Sequence, residues 1–195
     1  DGFYKEKETK KEAKNRLNKY GLTGCLTVYK SIIDRTSFTI DNGLCEDSIN
    51  IINSSGKNIL LDVQNALADA VDIDFSNVEI SNLEVKNAGN DCFDVSGGNY
   101  LVDYAILVSC KDKALSVGEK SVLNVNLVTI KDSLIGVSAK DLSIVDILEF
   151  TSTATKHCAE VKQKKPEFGG SSLNIQNLNC IGDIQVEQNS EYLGG

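Results

Sequence analysis

The chain has 195 residues, 41% of them hydrophobic, which suits one substantial domain and excludes wholesale disorder. A formal net charge of −8 and a sequence pI near 4.7 argue against nucleic acid as a partner, since only Arg16 and Arg35 bring guanidinium groups to a phosphate backbone. No apolar run is long enough to span a bilayer. The sequence lacks Met and opens at Asp1, so we expect a processed product or an excised fragment.

The first stretch, DGFYKEKETKKEAKNRLNKYG, is charged and rich in helix formers. Ala13, Leu17 and Tyr20 make a narrow apolar stripe at helical spacing, and Gly21 sits where a helix would stop. It predicts an N-terminal capping helix over residues 1–21, because a solenoid needs its open end covered. A basic interaction arm is the other reading of the same residues.

From residue 22 the pattern turns to β and repeats. Asp47, Asp69 and Asp91 recur every 22 residues, and Lys113 follows at the same step. A fixed period in this range marks a solenoid. Short apolar-polar-apolar strands align as inward pairs, because alternate residues of a strand face opposite sides. The pairs are Leu26/Val28, Ile49/Ile51, Val71/Ile73, Phe93/Val95, Leu115/Val117, Val137/Ala139, Ala159/Val161 and Ile184/Val186. The fold class that follows is all-β, a parallel β-helix solenoid of eight coils over 22–195, at about 22 residues per coil. The rule for parallel crossovers makes its hand right-handed. The last step is longer, and the extra length falls in KQKKPEFGGSS with the only proline, Pro166.

The register orders the six cysteines. Cys25, Cys92 and Cys158 each precede the first inward residue of a coil, and Cys45, Cys110 and Cys180 lie three or four residues short of that position in the next. We expect disulfides Cys25–Cys45, Cys92–Cys110 and Cys158–Cys180, each stapling neighbouring coils for about 3 kcal/mol. Such bridges imply a secreted or cell-surface protein.

With the register fixed, GNDCFDVSGG, DKALSVGEKS, IGVSAKDLS and KKPEFGG resemble a bacterial β-helix module of surface and secreted proteins, sometimes found beside spore-coat-H-like kinase domains. More widely, the coils resemble the right-handed parallel β-helix of the pectin-lyase-like superfamily. That superfamily includes polygalacturonases, pectate lyases and uronate epimerases. LADAVDID and GNDCFDV are similar to polygalacturonase phrases, and the resemblance implies catalytic roles for Asp69 and Asp91. The first member of the second pair is Asn90 here, and the family's histidine position carries Lys113, so the match stops short of a catalytic set.

The polar position between the inward residues runs Asn50, Asp72, Asp94, Ser116, Ser138, Glu160, and the next runs Asp74, Ser96, Gly118, Lys140. Asp69, Asp72, Asp74, Asp91 and Asp94 therefore crowd one face. Three readings stay open. Asp72, Asp74 and Asp94 bind a ligand or a calcium ion, calcium being the one cofactor the pattern suggests. Asp69, Asp91, Asp72 and Asp94 form an acid-base set of a carbohydrate-active enzyme. Or Asp69 and Asp91 hold turn amides while Asp72 and Asp94 are solvated surface. Lys113, Glu119 and Lys120 read as a salt-bridged face, and the single histidine, His157, as structural. Tyr29, Tyr100, Tyr104 and Phe168 are the aromatics available to stack on a sugar. The partners expected are a polysaccharide or a surface protein, with end-to-end self-association through unpaired strand edges. A non-catalytic binding, adhesion or structural module is the leading function, and the enzyme is the alternative.

Overall fold

A computed structural model describes residues 22–194; the capping helix expected over residues 1–21 lies outside them. The described residues form a parallel β-solenoid of about eight turns, ~22 residues each, without a helix. The strands are β1 (Gly24–Tyr29), β2 (Ser37–Asp41), β3 (Asp47–Ile52), β4 (Ser55–Ala66), β5 (Asp69–Asp74), β6 (Asn77–Ala88) and β7 (Phe93–Ser96). They continue with β8 (Asn99–Gly118), β9 (Val122–Lys140), β10 (Ile144–Lys162), β11 (Ser172–Asn179), β12 (Asp183–Val186) and β13 (Glu191–Gly194). Among them no helix is long and apolar enough to cross a membrane.

One wall is built from β1, β3, β5, β7, the C-terminal ends of β8, β9 and β10, and β12. Its register is the one read from the repeat. Leu26 pairs with Ile49, and the column continues through Val71, Phe93, Leu115, Val137 and Ala159 to Ile184. From Ile49 to Val161 both members of every inward pair are 0% exposed. The opposing wall buries Leu61, Leu83, Ala105, Val128 and Phe150 as one column, and Ile59, Ile80, Val102, Val125, Ile147 and Ile175 as another. Strands β8, β9 and β10 run unbroken around the corner between the walls.

Corners set the cross-section. After the short strand the chain turns through the left-handed region at Lys30, Asn53, Phe75, Gly97, Glu119 and Asp141, with φ between 49° and 62°. A second corner turns the same way at Asn42, Asn65, Asn87, Ser109, Asp132 and Ala154. Asparagine tolerates this conformation better than most residues. Its amide also bonds along the stack: Asn87 Nδ2 donates to Asn65 Oδ1 at 2.9 Å, and Asn65 Nδ2 to Asp41 Oδ1 at 2.8 Å.

Behind the first corner runs a buried serine column. Ser54 Oγ accepts from the Ser31 amide at 3.1 Å, and Ser76 Oγ from the Ser54 amide at 2.9 Å. Gly98 interrupts it, and the Tyr100 hydroxyl takes the vacant place, 3.0 and 2.9 Å from the carbonyls of Ile73 and Ser96. A Cβ on Gly98 would come within 2.6 Å of that hydroxyl. Tyr100 is only 2% exposed, which removes it from the aromatics expected to stack on a sugar: the gap at Gly98 draws its ring inward.

All three expected disulfides are present, with Cα separations of 5.3 Å for Cys25–Cys45, 5.4 Å for Cys92–Cys110 and 6.1 Å for Cys158–Cys180. They fit an oxidising environment.

Candidate functional site

The outward residues of the short-strand wall form one column. Thr27, Asn50, Asp72, Asp94, Ser116, Ser138, Glu160 and Gln185 are consecutive register partners. Adjacent coils in such a stack lie roughly 4.8 Å apart. Beside this column stand Asp74, Ser96, Gly118 and Lys140 on one side, and Asp47, Asp69, Asp91 and Lys113 on the other.

The coil-start aspartates fasten one coil to the next. Asp69 Oδ1 accepts from Asn90 Nδ2 at 2.7 Å and from the Asp91 amide at 2.9 Å. Asp91 Oδ1 repeats the pattern with the Lys113 amide at 2.9 Å, and Lys113 Nζ lies 3.5 Å away. Lys113 also pairs with Asp112, and these partners hold its ammonium above the ordinary lysine range although burial opposes it. Asn90 and Lys113 thus both serve this fastening.

The central column divides in two. Its acidic half is poor in partners. Asn50 Nδ2 donates to Asp72 Oδ2 at 3.1 Å, while Asn50 Oδ1 and Asp47 Oδ2 are buried without a hydrogen-bond partner. Burial, reinforced by neighbouring carboxylates, pushes Asp72 up to about 9, Asp69 to about 7, and Asp47 and Asp74 to about 6. Burial also raises Asp94, against the pull of Lys140.

The other half is bonded throughout. Lys140 Nζ donates to Ser116 Oγ at 2.7 Å, and Ser116 in turn bonds Asp94. Ser138 Oγ donates to Glu160 Oε1 at 2.6 Å, and Lys162 Nζ meets the same oxygen at 2.9 Å. Burial lowers Lys140, whereas hydrogen bonds from Lys162 and Ser138 keep Glu160 below the ordinary range despite its burial. These positions point outward yet are closed off: Ser116 and Ser138 are 0% exposed, Lys140 6% and Glu160 8%. Lys140 reaches Ser116 and Glu160 reaches Ser138 from the next coil, which closes the serines off.

Asp72, Asp74 and Asp94 come together as the sequence implied: Asp72 and Asp74 stand two residues apart on β5, and Asp94 on β7 is the register partner of Asp72. Binding calcium would need several oxygens converging on one point. Among the described residues no group of three or more His, Cys, Asp or Glu side chains is placed to hold a metal ion. His157 pairs with Asp183 at the far end of the wall, away from Asp72 and Asp94. Glu119 pairs with Lys165 rather than with Lys113, and Lys120 lies over the ring of Phe168, 5.9 Å from its centroid.

Sequence reading placed Lys140 in the right column but gave it no role. Its link through Ser116 to Asp94 depends on where a flexible side chain reaches onto the neighbouring coil, which the repeat does not encode. No protein-family model, no curated protein and no solved structure matches the chain.

Proposed function

We propose that this chain is a non-catalytic binding module of the cell exterior, secreted or surface-held, that presents Asp72, Asp74 and Asp94 to a polysaccharide or a surface protein. The observation that carries this reading is the division of labour on the acidic wall. Asp69 and Asp91 are committed to backbone amides of the next coil, and Ser116, the serine bonded to Asp94, is closed off. What is left for a partner is a short row of carboxylates, with no histidine beside it among the described residues. The three disulfides favour an oxidising exterior. The right-handed coil, the pectin-lyase-like kinship and a bacterial source belong to the same reading, carried by the crossover rule and the sequence phrases.

The alternative is a carbohydrate-active enzyme. It is favoured by the raised Asp72 and Asp74, since a carboxyl that keeps its proton near neutrality is a general acid in waiting.

The deciding experiment is turnover on neutral and uronate polysaccharides, with and without calcium, reading new reducing ends and unsaturated products. We expect no turnover. On immobilised glycans and surface extracts, we expect retention that an Asp72→Asn/Asp94→Asn variant loses. Turnover that disappears in Asp94→Asn would replace the binding reading with the enzyme.

A further inference from the structure

We propose that the notch between Phe75 and Phe168 is a second binding site, one that takes a pyranose ring of an oligosaccharide. It lies at the first corner, outside the acidic column, and does not rest on what that column binds.

Phe75 occupies a left-handed corner position, φ 49°, which turns its side chain out of the solenoid to 59% exposure. The ring is seated on the next coil. Gly97 has φ 62°, and a Cβ there would fall 2.6 Å from Phe75 Cδ1 and 2.7 Å from Cε1. The opposite wall of the notch is Phe168, which belongs to the one lengthened coil. The loop that carries it folds back onto earlier coils. The backbone amides of Lys164 and Lys165 both donate to Asp141 Oδ1 at 2.7 Å, and Lys165 pairs with Glu119. Gln163 Nε2 donates to the Phe168 carbonyl at 2.5 Å. The inserted residues add no member to the inward columns; they bring an aromatic ring back beside Phe75.

Together with Gly98, Asn99, Glu119 and Lys120 the two rings line a hollow of about 380 Å³. A second hollow of about 340 Å³ shares Phe75 and continues toward Asn53 and Asn77, so more than one sugar residue has room along the solenoid axis. The chemistry of the walls selects the ligand. Two flat apolar faces stand beside an amide, a carboxylate and an ammonium, which suits a ring with an apolar face and a polar edge. Asn99 Nδ2 donates to Asn77 Oδ1 at 2.8 Å, which leaves Asn99 Oδ1 to accept. An extended peptide finds no ladder to join, because the strands bordering the notch already pair with the coils on either side. Lys120 over the Phe168 ring disfavours a cationic ligand.

The test titrates the isotope-labelled full chain with soluble oligomers of β-linked glucose, of N-acetylglucosamine and of uronate, following backbone amide resonances. We expect at least one to give saturable shifts at Gly97, Gly98, Asn99 and Lys120. Phe75→Ala and Phe168→Ala should each weaken that binding by about tenfold, as loss of one of two stacking rings implies. Phe75→Leu keeps an apolar side chain and the fold while removing the flat face, and should bind as weakly. Lys131→Ala, at an exposed position of β9 outside both the notch and the acidic column, should leave the affinity unchanged. The proposal is overturned if no oligomer gives saturable shifts, or if binding survives both phenylalanine variants. Shifts confined to the Asp72 and Asp94 wall, or shifts at the notch produced by a proline-rich peptide and by no sugar, overturn it equally.

Discussion

Asp72 is the residue at which the cost of this surface concentrates. Its carboxyl has one hydrogen-bond donor, Asn50, and stands among Asp47, Asp69, Asp74 and Asp94. Its folded pKa is near 9 against an ordinary 3.8, and Asp69, Asp47 and Asp74 shift the same way to about 7, 6 and 6. For each of them the folded state holds a proton that the unfolded chain has released. Their contribution is therefore fully present below about pH 4 and is lost as pH rises through 6, 7 and 9. Denaturant midpoints measured from pH 4 to pH 9 should fall steadily. Asp72→Asn should flatten that decline and raise stability at pH 8 by on the order of 1–2 kcal/mol. A midpoint that rises across the same range would mean a cation neutralises the row in solution.

Among the elements, the staples and corners matter more than any single strand. Cys92–Cys110 joins the start of β7 to the middle of β8, just where β8 rounds the corner toward the acidic wall. Cys92 and Cys110 are 0% and 1% exposed, so the bridge also fills core. Replacing both with serine should lower the unfolding free energy by roughly 3 kcal/mol, read by chemical denaturation against the oxidised parent. The serine column and the asparagine corner are repeated side chain-to-backbone or side chain-to-side chain bonds, each meeting a polar group that a tight turn exposes.

The whole molecule is quasi-one-dimensional: an interior coil is stabilised from both sides and a terminal coil from one. Inward residues of the middle coils are fully buried, whereas Ile184 and Tyr192 are only half-buried and Val186 is 45% exposed. Hydrogen exchange should follow that gradient. We expect the slowest amides in β8, β9 and β10 and the fastest in β1, β2, β12 and β13, measured by mass spectrometry on the intact chain. Uniform protection from end to end would show that the terminal edges are covered, as stacking of one chain on another would cover them.

The sequence by itself determined the coil period, the inward columns, the cysteine pairing and the gathering of Asp69, Asp72, Asp74, Asp91 and Asp94. All follow from register, because a period of 22 with strict alternation fixes which residues share a column. The corners left a fainter trace, Asn42, Asn65 and Asn87 at nearly the same step, which is visible only once a left-handed turn is known to fall there. Only the tertiary structure decided what the columns do. Side-chain reach set the partners: Lys140 leans across to Ser116, Tyr100 folds inward to fill the gap at Gly98, and Lys165 anchors a loop 46 residues away at Glu119. The same reach brought Phe168 to Phe75, two residues that share no column. Register is a property of the backbone and is written in the repeat; long side chains and an inserted loop are set by three-dimensional packing, which the repeat leaves open.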